Sequence, residues 1–426
     1  MYSLAIMTVR RGIRVTGSDV ATSEHTERLL AEGAKIYKGH SAENISSATL
    51  VVYTSAVARD NPELAAAKQQ GIPTVTRAEY MGALMINYKS RIGVSGSHGK
   101  STTVAMLDAI FTQAMCEPTV LSGADLPYGK PYRLGGDNLL LYEACEYKDA
   151  FHSFSPTVAV ALNLELDHTD YFDGIKALKT SFVKALAKAK LAVINGDDGN
   201  LESVRARLKN RVVTFGQGER VDYKYSIVSF KERGYEVAVY KFGSEIIRFN
   251  LNMVGTFNVQ NAVAATVTAI EYGINTGVIA TAISGFSGIP RRLERVGERY
   301  GRAVYYDYAH HPTEIRCTIN ALKLATHDLV TVVFKPHTYT RTKSLWDDFI
   351  LALSLADYVI ITDIYGAREE PIDGISAERL AASIGSRAIY SADSAVPAVV
   401  DLQTHGTVIV MGAGDLERVK RELISH

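Results

Sequence analysis

Gly93-Val94-Ser95-Gly96-Ser97-His98-Gly99-Lys100-Ser101 follows an apolar run with the look of a strand and opens a run with the look of a helix. Strand, glycine loop and helix in that order make an anion cradle. Successive backbone N–H groups and the positive end of the helix point at the ligand, and a lysine adds a full charge. The spacing is a variant of G-x-x-x-x-G-K-[ST], because the first glycine falls at Gly93 where strict spacing would put it at Val94. The expectation is a phosphate-binding loop for ATP, with Gly96, Ser97, His98, Gly99, Lys100, Ser101 and Thr102 around the phosphates and the Ser101 hydroxyl placed for Mg²⁺. The bland alternative is a glycine turn with an exposed lysine.

The chain around this loop alternates strand-like and helix-like runs over 426 residues, enough for about three domains. Met1–Val9 reads as a helix, 12–19 as a strand, 23–32 as a helix, and 34–37 and 49–53 as strands. After the linker near Tyr88 come a strand at 91–94, the loop, a helix at 101–115, and strands at 139–142, 157–162 and 191–195. Alternating residues between 220 and 251 predict antiparallel hairpins, followed by a helix at 259–272. Strands at 303–306, 329–334, 358–362, 388–390 and 407–411 then alternate with helices. The expected fold is α/β in three domains. These are a Rossmann-like domain at 1–88, a P-loop ATPase-like and mainly parallel sheet with helices at 89–288, and a Rossmann-like domain at 289–426.

Composition excludes several function classes. Lys plus Arg and Asp plus Glu are each 46, so no net charge recruits nucleic acid or a membrane surface. Cys116, Cys145 and Cys317 have no metal spacing and form no disulfide framework, which predicts a reducing, cytoplasmic setting. No heptad or interface helix declares an assembly, so a monomer or a homodimer is expected.

A second constellation follows the loop. Tyr142-Glu143-Ala144-Cys145-Glu146-Tyr147-Lys148-Asp149 closes the strand at 139–142, and Asn163-Leu164-Glu165-Leu166-Asp167-His168 follows the next one. Carboxylates at the carboxyl end of a sheet strand lie where doubly wound folds bind ligands, and Glu143 could share Mg²⁺ with Ser101. A solvated surface cluster is the competing reading of Glu143.

These motifs, with Asn258-Val-Gln-Asn261, Arg292-Leu-Glu294, Asp307-Tyr-Ala-His310-His311-Pro312 and His337-Thr-Tyr-Thr-Arg341-Thr342, resemble in kind and order those of the Mur ligases, over essentially the whole chain. The closest likeness is to the branch that joins L-alanine to UDP-N-acetylmuramate. The resemblance implies an ATP-dependent amide-bond ligase of peptidoglycan precursor synthesis that works through an acyl phosphate. It makes Lys100, Glu143 and His168 catalytic and Ser101, Glu143 and His168 ligands of Mg²⁺. It gives Asn258 and Asn261 the adenine, although Asn258 could equally be a helix N-cap. Arg292 and Asp307 reach the nucleotide. Ser18, Asp19, Ser55, His310, His311, His337, Arg341 and Thr342 bind substrate, with His310 and His311 open to a purely structural reading. On the same likeness the three domains hold the UDP-sugar, hold ATP, and close on the nucleotide and amino acid. Alternatives are a peptide-adding ligase of the same sugar nucleotide and an inactive nucleotide-binding relative.

The chain departs from the family pattern at Ser97 for threonine, Cys145 for aspartate, Phe257 for histidine and Tyr306 for aspartate, none of them a proposed metal ligand. The family's first strand and its glycine-rich turn against the UDP pyrophosphate are absent ahead of Met1. The expectation is an intact ATP site and weakened binding of UDP-N-acetylmuramate in the chain as numbered.

Overall fold

The computed structural model describes residues 1–424 except 55, 56, 59, 169, 170, 232, 233, 368 and 404. The chain forms two compact units, one of residues 1–224 and 264–275 and the other of 225–263 and 276–426.

In the first unit, strands β1 (Thr16–Asp19) and β2 (Lys35–Lys38) pair in parallel, as do β3 (Val51–Tyr53) and β4 (Thr74–Thr76). A helix separates the members of each pair, Glu24–Ala31 in one and Pro62–Gln70 in the other. Local chemistry sets these helices. Ser23 and Thr26 form a reciprocal capping box, and the second helix has Asn61 as its cap, Pro62 at its first position and left-handed Gly71 at its end. The strand expected at 12–19 is shorter than its apolar pattern. Gly12, at φ +75°, ends the helix Tyr2–Arg10, and regular pairing starts only at Thr16.

The rest of this unit is a sheet of β5 (Ser90–Ser95), β6 (Thr119–Leu121), β7 (Tyr132–Arg133), β8 (Leu139–Glu143), β9 (Val158–Ala161), β10 (Leu191–Asn195) and β11 (Arg211–Gly216), in spatial order β11-β10-β9-β5-β8-β6-β7. Every pairing is parallel except β6 with β7. Helices Lys100–Gln113, Ile175–Leu186 and Gly199–Arg205 cross between the strands. Unbroken apolar runs such as Leu139–Tyr142 are what a parallel sheet covered on both faces requires.

The second unit takes over in β12 (Tyr223–Lys231), whose first residue pairs with Phe215 of β11. β13 (Gly234–Lys241) and β14 (Ser244–Leu251) form an antiparallel hairpin turning at Phe242 and Gly243, both with positive φ as a tight hairpin of matching twist needs. The helix Thr256–Tyr272 carries the chain back into the first unit. A six-stranded sheet follows: β15 (Glu294–Arg299), β16 (Arg302–Asp307), β17 (Val330–Phe334), β18 (Tyr358–Ile361), β19 (Ala388–Tyr390) and β20 (Thr407–Met411), in order β15-β16-β20-β17-β18-β19. Only β15 runs antiparallel. Alternate residues of β20 feed two cores. Ile409 and Met411 pack with the helices Pro312–Thr326, Trp346–Leu353 and Ala377–Ile384, whereas Val408 and Val410 pack with Val396, Val400, Val419 and Leu423. The sequence reading missed β15, because Glu-Arg-Val-Gly-Glu-Arg is too polar for a buried strand and fits only an edge.

Candidate functional site

β5 lies between β8 and β9, and the connections leaving β5 and β9 run to opposite sides of the sheet. A doubly wound sheet opens its ligand crevice at such a switch point, outside the carboxyl ends of the strands. The glycine loop of residues 96–99 emerges there. Gly96 has φ +142°, and a Cβ on it would lie 3.1 Å from Leu162 Cβ and 3.2 Å from the Asn163 carbonyl oxygen. Gly99, at φ +83°, makes the left-handed turn into the helix that starts at Lys100. Gly93 has a different task from the one its spacing suggested. It lies inside β5, where a Cβ would come within 2.6 Å of the Tyr142 hydroxyl, so its smallness makes room for a buried ring.

The segment after β9 grips the loop. The Asn163 side chain accepts from His98 N–H at 2.8 Å and donates to the His98 carbonyl at 3.1 Å. Ser97 Oγ donates to the Glu165 carbonyl at 3.0 Å and accepts from Glu165 N–H at 2.9 Å. His98 Nε2 faces the Glu165 carboxylate at 3.5 Å. Ser101 and Thr102 lie buried in the first helical turn, and neither hydroxyl has a hydrogen-bond partner among the described residues.

Lys100 Nζ donates to the Gly96 carbonyl, to the Ser97 carbonyl at 3.3 Å, and to both oxygens of Glu146 at 3.2 Å. Burial pulls against the ammonium charge, but Glu146, Cys145 and Glu143 outweigh it, and the Lys100 pKa is raised. Glu146 is 2% exposed. The His168 ring lies 4.5 Å from that of Tyr147, and its Nε2 is 3.9 Å from Glu146 and 3.9 Å from Asp167. Lys148, Asp149 and His168 all have left-handed φ, between +51° and +56°, a costly backbone that collects at functional sites. Glu143 is half-buried rather than a solvated surface acid. Ser122 Oγ (2.9 Å) and Gly123 N–H both donate to its Oε1, and Oε2 accepts no hydrogen bond among the described residues.

Elsewhere in this unit, Ser18 at the end of β1 donates to Glu63 at 2.7 Å and lies 2.9 Å from His40 Nδ1. Asp19 is exposed and accepts from Ala21 N–H. Ser55 falls outside the described residues.

In the second unit, Asn258 is buried within the helix Thr256–Tyr272, two residues past its start. Its side chain donates to the Val254 carbonyl at 2.8 Å and accepts from Asn261 at 3.4 Å, so it is not the helix N-cap. Asp307, at the end of β16, accepts from Ala309 N–H and from Thr318, and burial, opposed by Arg292, pushes its pKa up to about 6. Arg292 lies over the Tyr308 ring and 3.9 Å from Glu314. His310 and His311 divide the roles left open for them. His311 caps the helix Pro312–Thr326, while the His310 ring turns toward that of His337, 6.1 Å away. His337 lies 3.3 Å from Arg341, and burial followed by that guanidinium lowers its pKa to about 4. Thr342 is fully buried and donates to the Thr338 carbonyl.

Sequence reasoning passed over three partners that this geometry makes prominent. Glu146 and Asn163 stand inside quoted motifs but were given no role. Glu314 receives the backbone N–H of both His310 and His311, a bond that its place three residues past the cap could have signalled.

Three family models match the chain in succession: "Mur ligase family, catalytic domain" over residues 1–89, "Mur ligase middle domain" over 94–269 and "Mur ligase, glutamate ligase domain" over 291–414. The UDP-N-acetylmuramate–L-alanine ligase of Caldicellulosiruptor bescii is 38% identical over 98% of this chain and 94% of its own length. That of Acetivibrio thermocellus is 39% identical over 98% and 92%. The crystal structure of UDP-N-acetylmuramate-alanine ligase from Thermotoga maritima covers the whole chain and 96% of its own, at 26% identity and a TM-score of 0.85. No described helix is long and apolar enough to cross a membrane. Three family models in succession and relatives alike over almost their full length agree: the chain belongs to the Mur ligase family.

Proposed function

We propose that this chain is an ATP-dependent carboxylate–amine ligase that joins L-alanine to the carboxylate of UDP-N-acetylmuramate, releasing ADP and phosphate, in peptidoglycan precursor synthesis. The observation that carries the reading is the cradle of Gly96 to Thr102 at the switch point, in a chain 38% identical to ligases of that name. A carboxylate is a poor electrophile until one of its oxygens becomes a phosphate. The γ-phosphoryl group of ATP therefore passes to that oxygen first. The amine nitrogen of alanine then attacks the carbonyl carbon, the C–N bond forms, the C–O bond to phosphate breaks, and the ammonium proton leaves to solvent.

The protein's share is position and charge. Loop N–H groups and the helix start receive the β- and γ-phosphates, and Lys100 neutralises charge that grows on the bridging oxygen. Mg²⁺ fits the donor types here, since the Ser101 hydroxyl and Oε2 of Glu143, neither hydrogen-bonded among the described residues, are the hard oxygen ligands it prefers. When bound, it would screen the phosphate oxygens and polarise the γ-phosphorus. On the family likeness His168 would hold a second Mg²⁺, its ring 4.5 Å from that of Tyr147 and its Nε2 3.9 Å from both Asp167 and Glu146.

For the other roles the support is the resemblance together with local chemistry. Asn258 and Asn261 would bind adenine, and Arg292 and Asp307 the nucleotide. Ser18, Asp19 and Ser55 would take the sugar nucleotide, and Arg341, with His337 and His310, an amino-acid carboxylate that its planar fork can hold at two oxygens. We assign the UDP-sugar to residues 1–88, ATP to 89–288 and the amino-acid side of the reaction to 289–426, in a cytoplasmic monomer or homodimer.

The test is phosphate release from Mg²⁺-ATP, with and without UDP-N-acetylmuramate and with L-alanine, glycine, L-serine or no amino acid. Release that needs both co-substrates and is fastest with alanine supports the reading. Release with an alanyl peptide but not with alanine assigns the chain to the peptide-adding branch, and no release under any combination removes the ligase reading.

A further inference from the structure

Glu146 has no part in the reaction just described, yet it is the most buried carboxylate against the phosphate loop. We propose that it is a positioning residue that holds the Lys100 ammonium in place of a phosphate and so sets the affinity for nucleotide. The proposal rests on the nucleotide role of the loop and deepens it.

A lysine ammonium has three donors. Here they go to the Gly96 carbonyl, the Ser97 carbonyl and the Glu146 carboxylate, all within the protein. Any phosphate that takes Lys100 must displace one of them. The carboxylate is the partner built for exchange. It is the only one of the three that is charged, and at 3.2 Å to each oxygen the ammonium straddles it at a distance longer than the 2.7–2.9 Å usual for a charge-assisted bond. The His168 ring also borders this carboxylate, with Nε2 3.9 Å from Oε1. Two oxygens of one negative group, set against an ammonium, imitate a phosphate edge. The ordered cradle is thereby stable without ligand, at the expense of competing with it.

The experiment is isothermal titration of ADP into the full chain, wild type and Glu146→Gln, each also in a Lys100→Met background. The amide keeps an acceptor for Lys100 and removes the competing charge. Glu146→Gln should therefore bind ADP about tenfold tighter, and its KM for ATP should fall without a rise in kcat. The gain should vanish in the Lys100→Met background. Equal or weaker ADP binding by Glu146→Gln overturns the proposal, as does a gain that survives without Lys100, which would be plain repulsion. Circular dichroism checks folding. Should Glu146→Gln not fold, Glu146→Asp, which shortens the reach to Lys100, decides in the same direction. Wild type that fails to bind ADP at all overturns the nucleotide reading itself, a result distinct from failure of this competition.

Discussion

Replacing Asn163 by alanine tests whether the phosphate loop is preformed by its neighbour segment. The carboxamide bonds both backbone groups of His98, the loop's middle residue, at 2.8 and 3.1 Å. Each such bond contributes a net of about 1 kcal/mol, so the variant loses about 2 kcal/mol of loop ordering. If all of that reached the ligand, ADP affinity would fall about 30-fold, since apparent affinity scales with the competent fraction. The two hydrogen bonds between Ser97 and Glu165 remain and hold part of the conformation, which brings the expected loss to about tenfold. Asn163→Asp should lose more than alanine, because its carboxylate cannot donate to the His98 carbonyl and adds negative charge beside the phosphates. Calorimetric titration of ADP reads both variants. Asn163→Ala binding ADP within twofold of wild type would refute the view that this segment preorganises the loop.

Gly123→Ala sets a methyl 3.0 Å from Glu143 Oε2 and 3.3 Å from its Cδ, so the carboxylate must move, and the Mg²⁺ concentration for half-maximal ATP turnover should rise about tenfold while Mg²⁺-free ADP binding holds. Tyr142→Phe removes a buried hydroxyl with no hydrogen-bond partner among the described residues and should stabilise the protein by about 1 kcal/mol in urea unfolding; a lower midpoint would show that the hydroxyl is satisfied. Asp307 and His337 pull the stability of their unit in opposite directions in acid. A carboxyl raised to about 6 loses native stability as pH rises from about 4 to 6, and an imidazole lowered to about 4 gains it as pH rises from about 4 to 6.5. Asp307→Asn removes only the first effect, so its melting temperature should climb more steeply with pH between 4.5 and 6.5 than that of wild type. Parallel profiles would reject the Asp307 assignment.

The loop and the apolar strands were legible because they depend on local pattern. Glycines at 96 and 99, the lysine after them and the unbroken run Leu139–Tyr142 each carry their own signal in a few residues. What stayed hidden depends on partners far apart in sequence. Gly93 looks like a loop glycine until the ring of Tyr142, 49 positions on, is seen against it. Glu146 reads as one acid of a charged cluster, and only the fold shows it buried and straddled by Lys100. His310 and His311 are indistinguishable as a dipeptide, yet the helix start at Pro312 makes one a cap and turns the other toward His337. The polar edge strand β15 escaped for the converse reason: an edge needs no apolar face, so its sequence carries no strand signal.

The central claim is that a carboxylate is activated as an acyl phosphate. Its most direct test is turnover of UDP-N-acetylmuramate labelled with ¹⁸O in the carboxylate, in the presence of ATP and L-alanine, with mass analysis of the released phosphate. The account predicts one ¹⁸O in inorganic phosphate for each amide formed. Amide formation with unlabelled phosphate, or label appearing in AMP, would contradict it.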